Sequence, residues 1–146
     1  MSVSSDDVKK NVLDVAFALC VFLLIQGILY GVLGVFPAYR VVNSGSMEPV
    51  FYEGDVVFIK KVDASTLEVG DIIVFKARRG KTPIVHRIVE VIEENGNKYF
   101  VTQGDSNAFT DSYYDPGVPG DRIIGTPVFT IPRIGLISVY LRRLIL

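Results

Sequence analysis

Apolar and polar positions divide the chain sharply. From Val15 to Phe36 no residue is charged, Gln26 is the most polar interior position, and Pro37 and Arg40 close the run. Wound as a helix, this stretch measures about 33 Å, enough for a hydrocarbon core of about 30 Å. A cleavable leader would carry an apolar core of about 7–15 residues and then a small-x-small site. The run is longer than that, and Phe36-Pro37-Ala38-Tyr39 is a poor cleavage site. The pattern predicts an uncleaved membrane anchor over 15–36, preceded by a polar tail over 1–14. Gly27 and Gly31 have small-xxx-small spacing, but glycine is common in membrane helices and no helix contact is inferred. Lys9 and Lys10 precede the run while only Arg40 follows closely. The positive-inside bias then places the tail in the cytoplasm and the remainder outside.

Beyond the anchor the period changes. Asp55–Val62, Ile72–Phe75, Ile84–Ile92, Tyr99–Thr102 and Ile123–Ile131 are short runs rich in Val, Ile and aromatic residues. Asn95-Gly96 between the third and fourth is a strong hairpin signal. This spacing predicts a small all-β domain over 37–146 rather than alternating βαβ units, so the chain as a whole is mainly β with one N-terminal transmembrane helix. Gly54-Asp55, Gly70-Asp71 and Gly120-Asp121 read as turns leading into strands. Gly104-Asp105 leads instead into Ser106-Asn107-Ala108-Phe109-Thr110-Asp111-Ser112, a polar loop that breaks the domain's pattern and is a candidate site. Arg78-Arg79-Gly80-Lys81 reads as a solvated hairpin tip. Ile134–Leu146 is apolar but interrupted by Arg142 and Arg143, and too short to span a bilayer; it reads as a terminal packing or interfacial element.

Composition narrows the function classes. At 146 residues the chain holds one domain and an appendage, with 15 basic and 16 acidic residues, so no basic excess points to nucleic acid. Apolar residues make up 49% and charged ones 21%, a balance that agrees with a membrane segment. The single cysteine, Cys20, excludes an internal disulfide, and with one histidine, His86, a zinc site is not expected.

Candidate chemistry starts at Asn43-Ser44-Gly45-Ser46-Met47-Glu48-Pro49. These are turn-forming residue types, and an ordinary turn is one reading. The other is a nucleophilic serine, with glycine letting a substrate backbone approach and a neighbouring hydroxyl and N–H facing a developing oxyanion. Such a serine needs a base, for which His86, Lys60, Lys61, Lys76 and Lys81 are candidates. A histidine in an apolar strand, on the side of Ile84 and Ile88, is more often a packed structural residue. As a base it would need a carboxylate to orient it, and the polar loop offers Asp105 and Asp111.

These residues together carry a resemblance. Ser44-Gly45-Ser46-Met47-Glu48-Pro49 resembles the nucleophile motif of type I signal peptidases. His86-Arg87 stands where bacterial members have Lys-Arg, and a histidine there is typical of the archaeal and endoplasmic-reticulum branch. Gly104-Asp105-Ser106-Asn107-Ala108 followed by Asp111 resembles that branch's acidic box. The resemblance covers Phe36 to about Gly125. It implies a membrane-bound serine endopeptidase that cleaves signal peptides after small residues at −3 and −1. Ser46 would be the nucleophile, His86 the general base and acid, and Asp111 the third member. Asp105 would be needed to hold the loop or share the carboxylate role, and Ser46 N–H with the Ser44 hydroxyl would form the oxyanion hole. No cofactor or metal is implied. Secretory precursors, the bilayer and the protein-translocation channel are the expected partners, in the cell membrane or, for a eukaryotic host, that of the endoplasmic reticulum. A second C-terminal span and the larger domain of bacterial members are expected to be absent. A non-catalytic membrane-tethered binding module is the alternative from another class; a self-cleaving repressor-type relative is disfavoured by the anchor.

Overall fold

A computed structural model describes residues 5–78 and 82–145. Among these, helix α1 (Ser5–Leu33) precedes strands β1 (Tyr39–Val41), β2 (Val56–Lys60), β3 (Ile72–Phe75), β4 (Ile84–Glu94), β5 (Asn97–Gln103), β6 (Val118–Pro119) and β7 (Ile123–Ile131), and helix α2 (Leu136–Ile145) follows. Arg79, Gly80 and Lys81, within the basic stretch expected as a hairpin tip, lie outside the described residues.

Helix α1 starts well before the uncharged run. Lys9 and Lys10 lie inside it, in keeping with the good helix propensity of straight-chain residues. It stops at Leu33 rather than Phe36 because Gly34 turns left-handed (φ 69°) and its N–H bonds the Tyr30 carbonyl at 2.8 Å, a glycine cap. Val8–Leu33 is long and apolar enough to cross a bilayer, and none of its most apolar window is buried against the rest of the protein. The passage into the domain is short. Lys61 N donates to Leu33 O at 2.8 Å, and a Cβ on Gly34 would already touch the Lys61 side chain at 3.2 Å.

The seven strands form one antiparallel sheet in the order β1-β2-β7-β3-β4-β5-β6. β3 and β7 have the bounds read from the apolar runs, and β7 accommodates Pro127 where its register with β2 shifts between Phe58 and Ile59. The hairpin β4–β5 closes through Asn95 (φ 52°) and Gly96 (φ 77°), the positive-φ pair of a two-residue turn. β2 begins at Val56 rather than Asp55, since the Asp55 carboxylate is occupied in receiving Tyr52 N at 2.9 Å and Arg133 N at 3.0 Å. Asp71 receives Glu68 N in the same way at 2.9 Å. Both Gly-Asp turns therefore work alike: the glycine takes positive φ and the aspartate ties the turn shut.

β1 and β6 were not foreseen. Each is an edge strand too short to show alternation, and Pro119 in β6 is tolerated because an edge leaves one side unpaired. The core lies in three patches: Ile73, Phe75, Ile88 and Phe100 with Leu67 and Val118; Val42, Met47, Phe51 and Val57; and Val35, Ile59 and Val74. Burying each such side chain stabilises the domain by about 1.5–3 kcal/mol. The C-terminal segment is a helix that packs with one face. Val139 is buried and Leu136 lies over Gly54, while Ile137, Tyr140, Leu141 and Leu144 are exposed. On the outer face of the sheet, Tyr39, Phe58 and Phe129 form a row of ring contacts at 6.2 and 5.9 Å across β1, β2 and β7.

Candidate active site

Ser46 is displayed by its neighbour. Met47 is 2% exposed and packs with Val42, Phe51 and Val57, so the turn is pinned into the core immediately after the serine. Glu48 N to Gly45 O (3.1 Å), Val50 N to Met47 O (2.8 Å) and Phe51 N to Met47 O (3.0 Å) close the turn. This leaves the Ser46 hydroxyl facing outward, with the Ser44 hydroxyl 3.3 Å from it.

His86 lies in β4 opposite Ile73 of β3 and is 5% exposed. Its Nε2 is 3.0 Å from Ser46 Oγ, and its Nδ1 is 2.6 Å from Asp111 Oδ2. An ionised carboxylate only accepts, so Nδ1 carries the proton and Nε2 presents a lone pair to the serine. Three side chains far apart in the chain thus make one continuous line from hydroxyl to imidazole to carboxylate.

Asp105 stands elsewhere. Arg87 donates to it twice, Nε to Oδ1 at 2.9 Å and Nη2 to Oδ2 at 2.7 Å, and also donates to the Gly70 carbonyl at 2.7 Å. The hydrogen bonds with Asp105 hold the Arg87 pKa above its ordinary value. The loop after Gly104 is fastened to the serine turn as well. Ser106 N donates to Ser46 O at 2.9 Å, and Ser106 Oγ lies 3.3 Å from Glu48 O. Gln103 Nε2 donates to Asn107 O at 2.7 Å across the loop.

Two residues escaped the sequence reading. Thr102, 1% exposed, donates its hydroxyl to Asp111 Oδ2 at 2.6 Å. The signal was present: Thr102 shares the inward face of β5 with Phe100, and a polar side chain on an apolar face needs a partner. Gly104 was noted only as part of a motif. A Cβ there would meet Ser46 O at 2.6 Å and His86 Nε2 at 2.9 Å, so the line closes only over a glycine.

A cleft of about 350 Å³ opens beside the serine, lined by Arg40 to Ser44 on one wall and Thr82 to His86 on the other, with Phe51 and Tyr113. Among the described residues β1 pairs only with β2, and Ile84–His86 pair only with β3, since β5 begins its pairing at Arg87. Both walls therefore present unpaired backbone. None of the described candidate lysines lines this cleft: Lys60 and Lys61 lie at the end of β2 beside α1 and Lys76 follows β3, while Lys81 is outside the described residues.

Residues 12–91 match the family described as "Signal peptidase, peptidase S26". The chain belongs to that family. Among curated relatives of this S26 chain, the human protein named signal peptidase complex catalytic subunit SEC11C is 36% identical over 104 residues, covering 68% of this chain and 54% of its own length. The signal peptidase complex catalytic subunit sec11 of Dictyostelium discoideum is 38% identical over 104 residues, 68% of this chain and 58% of its own. SEC11 of Clavispora lusitaniae is 32% identical over 109 residues, 69% and 63%. The S26 chain thus spans a little over half the length of the curated relatives it matches.

Proposed function

We propose that this chain is a membrane-anchored serine endopeptidase that removes signal peptides from secretory precursors. The observation that carries the reading is the unbroken Ser46–His86–Asp111 line at the mouth of a cleft. Ser46 Oγ attacks the scissile carbonyl as His86 Nε2 takes its proton. The imidazolium, stabilised by Asp111, then gives that proton to the leaving amine, and water hydrolyses the acyl-serine by the same relay. Ser46 N–H and the Ser44 hydroxyl, already beside the nucleophile, receive the oxyanion, each donor contributing about 3 kcal/mol. Asp105 holds the loop through Arg87.

A substrate strand entering between the unpaired edges of β1 and Ile84–His86 would be bound through its backbone, which leaves selectivity to the side chains reaching the walls. Val41, Val42, Phe51 and Ile84 make those walls close and apolar, which suits small residues at −3 and −1. α1 serves as the anchor, with Lys9 and Lys10 on the cytoplasmic side and the cleft on the outer or lumenal side, where precursors leave the translocation channel.

The test is cleavage of a detergent-solubilised precursor by the full chain. A single cut after a small residue is expected, blocked when a bulky residue replaces it. An intact precursor under all conditions would leave only a binding module.

Gly104→Ala offers a steric check. The added methyl must displace either the Ser46 carbonyl or the His86 ring. A shift of about 1 Å costs on the order of a hundredfold in turnover. Wild-type turnover in this variant would show that the close packing has no catalytic consequence.

A further inference from the structure

Asp111 sits in a loop, yet its carboxylate is held as firmly as a strand residue. Two bonds from Thr102 do this. The Thr102 hydroxyl donates to Asp111 Oδ2 at 2.6 Å, and the Thr102 carbonyl receives Asp111 N at 2.7 Å. Oδ2 is also the oxygen that meets His86 Nδ1 at 2.6 Å, so two donors converge on one atom. Thr102 belongs to β5, which is paired on both sides by β4 and β6, and it stands opposite Ile88. Its β-branched side chain has few rotamers. A carboxylate otherwise turns freely about its last torsion and offers either oxygen.

We propose that Thr102 is a positioning residue for the peptidase reaction: its hydroxyl selects the Asp111 oxygen that faces His86 and so keeps the imidazole in line with Ser46. This rests on the roles given above to Ser46, His86 and Asp111. The part of Thr102 that matters is the donor and not the shape. Valine keeps the shape and removes the donor, whereas serine keeps the donor.

The experiment compares Thr102→Val and Thr102→Ser with wild type in the full chain, in detergent, on a precursor substrate. For valine, kcat falls on the order of ten- to a hundredfold with KM unchanged, the mark of an interaction used in the transition state. Serine restores most of it. A second readout needs no turnover. The chain has one histidine, so the His86 Nδ1 proton resonance is read without overlap. It should move upfield or exchange away in Thr102→Val and return in Thr102→Ser. A folded valine variant with wild-type kcat and an unmoved resonance would overturn the proposal. So would a variant whose only defect is a lower yield of folded protein. A wild-type chain that cuts no precursor would instead sink the peptidase reading, and the resonance alone would then decide whether Thr102 orders the imidazole.

Discussion

Replacing Ser46 with alanine should lower precursor cleavage by about 10⁴-fold or more while leaving the fold intact, because the reaction then lacks its nucleophile and retains only binding and the oxyanion donors. The two halves of that result come from different residues. The fold at this turn depends on Met47, which fills the core, whereas Ser46 contributes an outward hydroxyl and a carbonyl that receives Ser106 N. Alanine keeps the carbonyl. The thermal unfolding midpoint should therefore stay close to wild type, which circular dichroism would measure beside the cleavage assay. Undiminished cleavage by a well-folded Ser46→Ala chain would dismiss Ser46 as nucleophile.

The two aspartates of the polar loop should separate just as clearly. Asp111→Asn is expected to cost about 10⁴-fold in kcat, since an amide facing Nδ1 favours the wrong tautomer and no longer balances the imidazolium. Its shape is nearly unchanged, so stability is not the readout. Asp105→Asn breaks a two-pronged contact with Arg87 whose side chains are 33% and 16% exposed. Such partly solvated pairs are worth about 1 kcal/mol or less, so only a modest loss of turnover, about tenfold, is expected as the loop relaxes. Equal losses in both variants, measured as kcat on one precursor, would contradict this division of labour.

The residues by themselves left the two acids open, and only the family resemblance singled out Asp111; the reason is local. His86 and Arg87 are adjacent in a strand, so their side chains leave on opposite faces. Each then takes the acid on its own side: Asp111 for the imidazole, Asp105 for the guanidinium. Motif order shows both acids but not which face the loop brings each one to. Ser46 and His86 stood out only through the resemblance, because a serine in a turn and a histidine in an apolar strand are by themselves more often structural. Thr102 was hidden by its chemistry, since threonine is at home in any strand. At the level of fold, β3 followed from an unbroken apolar run, β7 from an apolar run broken by Gly125 and Pro127, and the hairpin from Asn95-Gly96, a turn with special backbone needs. The edge strands β1 and β6 did not, being defined by their partners more than by their own residues. The long apolar helix was foreseen, and its hydrogen-bonded run, Ser5–Leu33, is offset from the uncharged stretch over 15–36, because charge content marks where a helix would meet lipid and not where the hydrogen bonds begin or stop.

The tight junction between α1 and the end of β2 would, on the proposed reading, bear on what can be cut. With Gly34 capping the helix and Lys61 bonded to Leu33, no slack tether separates anchor from sheet. On the proposed reading, with α1 seated in lipid, the height of the cleft over the membrane would follow from where the helix settles. Such a peptidase would measure distance along its substrate before it reads side chains. A suitable bond held too deep, or carried too far out, would be passed over however well its residues fit.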